Sequence, residues 1–240
     1  MTLRRVRRFA PIALFGAISV ALAACSSGGD STGERLRPLL EQTIFGGSIF
    51  GEDKPAAKPP VFTRAQLNAV PFATIAVKDA EGNRSYVVPV ADNGGYLNYQ
   101  DSLRRSIIMR GGLITATQGL PFNLSAVRHA VDDPIVTPAP VAEWPGSIFR
   151  NYQFKLSGGA RDFTITTSCI YEVRAPERIE IVELFFNTIR IDEVCSNAQR
   201  TFTNTYWADP NTGFIWRSKQ WIGPRQDAMN VEIIRPYAAG

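Results

Sequence analysis

The sequence predicts a mainly β fold, an antiparallel sheet curled into a sandwich or pseudo-barrel, with a few short helices. Three observations carry that prediction. From Ala73 onward, short runs rich in Val, Ile, Thr, Tyr and Phe recur between clusters of Asn, Asp and Gly. Some runs alternate with the period of a strand, as Phe163, Ile165, Cys169, Tyr171 and Val173 do against Thr164, Thr166, Ser168 and Glu172. Helix signals, by contrast, are brief wherever they occur.

The chain opens with an address rather than a fold. Arg4, Arg5, Arg7 and Arg8 precede an uncharged apolar run from Phe9 to Ala24, the order of an export signal. That run falls short of the ~20 residues a spanning helix needs, and Ser26-Ser27-Gly28-Gly29-Asp30 follows without stop-transfer charges. A transmembrane anchor is therefore the weaker reading. Leu22-Ala23-Ala24-Cys25 resembles the lipobox of bacterial lipoproteins. The resemblance implies cleavage before Cys25 and acylation of its thiol. Ser26, rather than Asp, after the cysteine implies sorting to the outer membrane, facing the periplasm.

Cleavage changes the charge balance. The leader holds four of the 26 basic residues and none of the 22 acidic ones, so 22 of each remain. A formally neutral mature chain lacks the electrostatic footprint of a nucleic-acid binder. Cys169 and Cys195 are the thiols left after acylation, and an oxidising compartment makes a disulfide the natural expectation, with two buried free cysteines as the alternative.

Residues 1–24 thus read as the signal, 25–61 as a tether and 62–240 as one β-rich domain. Ser26 to Gly33 is too polar and glycine-rich to bury itself, a short helix fits around Glu34 to Phe45, and Lys54-Pro55-Ala56-Ala57-Lys58-Pro59-Pro60 favours extended polyproline geometry. Thr63 is the expected N-cap of a helix through Ala69. Strands are expected at Ala73–Val77, Ser85–Ala91 and Tyr96–Gln100, a meander in which Pro89 demands an edge or a bulge. Ser106–Met109 and Leu113–Thr117 flank Gly111-Gly112 as a further hairpin. A helical turn is expected around Leu124 to Ala130, followed by a proline-rich loop from Asp133 to Gly146. Strands resume at Asn151–Leu156, Phe163–Val173, Arg178–Ile191, Thr201–Trp207 and Phe214–Trp221. Leu184, Phe185 and Phe186 are consecutive, which requires a strand buried on both faces or bulged.

Chemistry is sparsely signalled. His129 is the sole histidine and no G-x-S-x-G elbow precedes it, so a hydrolytic triad is disfavoured. One histidine and two separated cysteines lack a metal-ligand spacing, and neither metal nor cofactor is expected. Asp92, Asp101, Asp132, Asp133 and Glu143 lie near loops and could pair for sugar hydrolysis, a weak signal in a chain with 22 acids. The Gly-Gly pairs read as turns, not phosphate loops. Tyr206, Trp207, Trp216 and Trp221 crowd one hairpin and are candidate glycan contacts, although Trp216 and Trp221 fall on opposite faces of a regular strand and at least one belongs to the core.

Phe62-Thr63-Arg64-Ala65-Gln66-Leu67-Asn68-Ala69-Val70-Pro71-Phe72-Ala73, then Asp92-Asn93-Gly94-Gly95, Met109 to Ile114 and Thr117-Gln118-Gly119-Leu120-Pro121 together resemble the YjbF/GfcB lipoprotein family. The closing Tyr206 to Asp209, Arg217 to Trp221 and Arg235-Pro236-Tyr237 extend the resemblance. Gly112 stands where the family's Gly-Arg-Leu places an arginine, so no role of that arginine carries over. The resemblance implies an outer-membrane lipoprotein encoded with group 4 capsule or exopolysaccharide genes, and partners comprising the membrane, an outer-membrane β-barrel, a small periplasmic protein and polysaccharide. It implies no catalytic residues. The expected function is a non-enzymatic accessory role in capsule or exopolysaccharide production or export; the alternatives are a glycan-processing enzyme using carboxylates and a glycan-binding module.

Overall fold

The structure, a computed structural model, describes residues 62–78, 84–101, 103–120, 122–155, 162–226 and 228–238. The expected signal, Cys25, the tether and its helix lie outside the described residues. Thr63 caps helix α1 (Arg64–Asn68) through a capping box: its hydroxyl accepts from the Gln66 N–H, and its own N–H donates 2.9 Å to Gln66 Oε1.

Among the described residues, twelve antiparallel strands follow in a single sheet: β1 (Thr74–Lys78), β2 (Arg84–Asn93), β3 (Tyr96–Gln100), β4 (Ser106–Arg110), β5 (Leu113–Gln118), β6 (Asn123–Arg128), β7 (Ser147–Lys155), β8 (Phe163–Ile181), β9 (Leu184–Ser196), β10 (Thr201–Ala208), β11 (Ile215–Gln220) and β12 (Met229–Arg235). Their order is β5-β4-β3-β2-β1-β12-β11-β10-β9-β8-β7-β6. The two end strands, β5 and β6, are consecutive in sequence and lie side by side, so the sheet curls into a nearly closed barrel. The expected curled antiparallel sheet is what forms. Pro89 sits at a bulge between β2 and β3, the place a residue without an N–H can occupy.

Three expectations need correction. Residues 123–128 form a strand, not a helical turn. Leu124 and Val127 are both buried, a spacing that reads as helical, but a bulge between Leu124 and Ala126 brings both to the inner face of β6. The expected strand from Arg178 to Ile191 is broken by a turn at Val182-Glu183, both at positive φ, which separates β8 from β9. Leu184 and Phe185 beside that turn are neither doubly buried nor bulged but exposed at a hairpin tip. Strand β12, lying between β1 and β11, was not anticipated.

Two cores result. Inward side chains such as Ile75, Val77, Tyr99, Leu124, Phe154, Ile191 and Tyr206 fill the barrel. The second core lies outside it. Beyond Pro176, β8 and β9 pair only with each other, and this arm packs Ile179, Ile181 and Val182 against Leu67, Tyr86, Val88 and Ile234 on the outer face. Arg64 fastens the arm's tip, donating to the carbonyls of Ile181 (2.7 Å), Val182 (2.9 Å) and Ile234 (3.2 Å). Nearby, the fully buried Glu232 on β12 joins Lys78, Arg84 and Arg217, at 2.7, 2.8 and 2.9 Å, and so ties four neighbouring strands together.

Candidate functional site

The proline-rich loop between β6 and β7 is a plug. Ile135, Val136 and Val141 join the barrel core, the Gly112 N–H donates to Ile135 O at 2.7 Å, and the Val141 N–H donates to Pro210 O at 3.1 Å. The loop therefore lies across the end formed by the β4–β5 and β10–β11 turns. Gly111 and Gly213 are the positions that admit it. Both have positive φ, and a Cβ at either would overlap a carbonyl oxygen of the plug, that of Val136 or Ala139. The Gly-Gly pair at Gly111-Gly112 is thus a turn, as expected, and also a seat.

Beneath the plug sits a buried ionic cluster. Arg150 on β7 donates from Nε to Glu193 Oε1 and from Nη1 to Asp133 Oδ2, each at 2.5 Å, with all three side chains fully buried. Glu193 Oε2 accepts from Asn204 Nδ2 (2.7 Å) and the Tyr206 hydroxyl (3.1 Å), and the Tyr171 hydroxyl donates to Asp133 Oδ1 at 3.3 Å. One guanidinium thus faces two carboxylates, and neutral donors supply the remaining hydrogen bonds. Burial opposes the Arg150 charge, but its surroundings, Glu193 foremost, outweigh it, so its pKa lies well above the ordinary arginine value. Asp133 also accepts the Ile135 N–H at 3.0 Å and so folds the first turn of the plug.

The same cluster contributes to alkaline sensitivity. Burial, and then the Glu193 carboxylate, push the phenols of Tyr152, Tyr171 and Tyr206 above their ordinary value. Above pH ~10 the unfolded chain releases these protons while the folded chain retains them. Stability should therefore fall as pH rises, by about 1.4 kcal/mol per pH unit for each tyrosine. Denaturant midpoints taken from pH 8 to about 11 should show this decline, shallower in Tyr206→Phe; an unchanged midpoint across that range would contradict it.

The residues singled out in the sequence do not converge on one free surface. Tyr206 is wholly buried and its hydroxyl is taken by Glu193, so it presents no face to a glycan. Trp221 lies on the inner side, stacked on Phe202 at 4.1 Å and edge-on to Tyr152. Trp216 and Trp207 lie outside under the arm, Trp216 stacked on Phe186 at 4.0 Å and Trp207 with Arg217 over its ring. All three indoles are packed, and opposite faces for Trp216 and Trp221 are observed. Among the candidate carboxylates, Asp133 serves Arg150 and Asp101 caps its own turn, accepting from Leu103 N, Arg105 N and Arg105 Nε. Asp92 accepts the Gly95 N–H, while Asp132 and Glu143 are exposed.

Cys169 and Cys195 face each other across β8 and β9 with Cα atoms 4.0 Å apart and are joined as a disulfide. The Glu193 carboxylate lies within 4.8 Å of both sulfurs, but bonded sulfurs offer no thiolate to a metal.

His129 lies on a concavity of about 610 Å³ at the seam between β5 and β6. Its Nδ1 lies 2.9 Å from Ala130 O, and its Nε2 lies 3.4 Å from the Tyr96 hydroxyl. Among the described residues, its charged or ionisable lining is Arg128, His129 and Tyr96, with no carboxylate. Sequence reasoning passed over this cleft because its residues come from five strands and form no local motif.

The model of a family described as "Group 4 capsule polysaccharide lipoprotein gfcB, YjbF" matches residues 35–234. The chain is 22% identical over 177 residues to the uncharacterized lipoprotein GfcB of Escherichia coli K12, covering 71% of this chain and 79% of that one. The crystal structure of the hypothetical lipoprotein YmcC from Escherichia coli K12 is similar with a TM-score of 0.67 at 18% identity, covering 87% of this chain and 98% of that one, a likeness of fold.

Proposed function

Because this chain belongs to the YjbF family of group 4 capsule polysaccharide lipoproteins, we propose that it is an outer-membrane lipoprotein, acylated at Cys25 and facing the periplasm, that acts as a non-enzymatic accessory factor in capsule or exopolysaccharide production or export. The observation that carries the non-enzymatic part is the filled barrel. Its interior holds packed side chains and a salt-bridged cluster, and two of the five candidate carboxylates, Asp133 and Asp101, are committed to folding the plug and a turn. What the molecule offers outward is surface, which suits docking to an envelope partner, such as an outer-membrane β-barrel or a small periplasmic protein, or to the polymer itself. The lipobox resemblance at Leu22 to Cys25 supports anchoring. Each buried methylene of an acyl chain contributes about 0.8 kcal/mol, so several chains hold the protein permanently.

The test is the amount of secreted and cell-surface polysaccharide in a strain lacking the gene. Loss of polymer, restored by the wild-type gene and not by Cys25→Ala, is the expected result. Undiminished polymer in the deletion strain would remove the proposal.

A further inference from the structure

The cleft at the barrel seam has the composition of a ligand site. β5 and β6 are joined by residues 119–122, a connection short enough for a hairpin, yet they terminate the sheet instead of pairing. A side chain bridges them near the connection, where the Leu124 N–H donates to Thr117 Oγ1 at 2.9 Å, and the Leu120 N–H of the connection itself donates to Asn123 Oδ1 at 3.0 Å. Farther along, five consecutive residues from Ser125 to His129 line the cleft. Consecutive residues point to alternate faces of a strand, so an opening lined by all of them lies along the strand's edge and not over one face. Its volume falls within the range of about 300–1,000 Å³ usual for small-ligand sites.

The lining chemistry is specific. Arg128 is exposed, Tyr96 carries the Arg110 guanidinium 4.7 Å from its ring centroid, and Ser125 and Gln153 add hydroxyl and amide groups, while the buried Thr115 hydroxyl donates to Ile108 O at 3.1 Å. With Arg110 beside it and no acidic side chain among the described residues of its lining, the cleft has the sign that complements a carboxylate, while the amide and hydroxyls suit sugar hydroxyls.

We propose that the seam cleft binds carboxylated sugar units of a polysaccharide, with Arg128 meeting the carboxylate and Tyr96, Ser125 and Gln153 holding the ring hydroxyls. The choice of a sugar as ligand rests on the capsule reading above; the sign and place of the site do not. Arg128 is a surface residue, so replacing it leaves the barrel intact.

The experiment measures binding of oligogalacturonate, and of neutral maltohexaose, to the full acylated chain in detergent by calorimetry. Oligogalacturonate should bind at least about tenfold more tightly than maltohexaose, and Arg128→Glu should weaken it by about tenfold or more. Lys219→Glu, an exposed charge change of the same size outside the cleft lining, should leave it unchanged. Equal weakening by both variants, no effect of Arg128→Glu, or no binding at about 10 mM probe would overturn the proposal. Arg128→Glu is also returned to the deletion strain. Full restoration of polymer together with unaltered probe binding removes the cleft alone, whereas a deletion strain with normal polymer removes the capsule reading and leaves the binding result standing.

Discussion

Arg150→Met should destabilise the protein by about 3–5 kcal/mol, because it strands the Asp133 and Glu193 carboxylates in the barrel interior without their shared cation. Both are fully buried, and the hydroxyl and amide donors around them cannot supply a charge. Urea unfolding should report the loss as a lower midpoint at nearly constant slope. The cause can be separated from simple loss of packing. Adding Asp133→Asn and Glu193→Gln to Arg150→Met should recover part of the deficit, since the cost belongs to the unpaired charges more than to the missing guanidinium. A single variant as stable as the parent would show that the cluster contributes nothing to folding.

The second large effect concerns the disulfide. Its 26-residue separation encloses the whole arm, so reduction, or the double substitution Cys169→Ser with Cys195→Ser, frees the loop that carries Val182 and Phe186. The chain-entropy account gives a loss of about 3–4 kcal/mol. For a protein of this size that corresponds to roughly 6–16 °C in Tm. Reduced protein should also be cut by protease near Leu184 and Phe185, exposed at the arm's tip, before the barrel strands are cut. Identical melting with and without reductant would rule out this role.

What the sequence made legible followed from period and punctuation. The strands of the first meander, the hairpins around Gly94-Gly95 and Gly111-Gly112, the bulge at Pro89 and the Thr63 cap all carry local signals that the structure honours. The failures share a cause, which is that the local signal was absent or misleading. The two-residue turn at Val182-Glu183 has positive φ at both residues, where Gly or Asn would announce it, and the second core that imposes it is remote in sequence. Leu124 and Val127 mimicked a helix because a bulge supplies the same spacing. β12 escaped notice because its buried Glu232 breaks the apolar pattern, and three cations from other strands make that burial tolerable. The aromatic hairpin was visible, but which faces lay open was not, since the arm that covers Trp207 and Trp216 folds back from elsewhere.

The fastening of the arm by Arg64 gives the molecule a load path. Phe62 is where the described chain begins, and any pull transmitted from the residues before it reaches α1 first. There it bears on the ring contact of Phe62 with Tyr86 and on three hydrogen bonds from one guanidinium, two to the tip of the β8–β9 arm and one to β12. Tension would strain that clasp before it reached the ladder between β1 and β12. The arm would yield as a spring does, with the disulfide farther back between β8 and β9, where they are already part of the barrel, as the stop, while the barrel behind it keeps its shape.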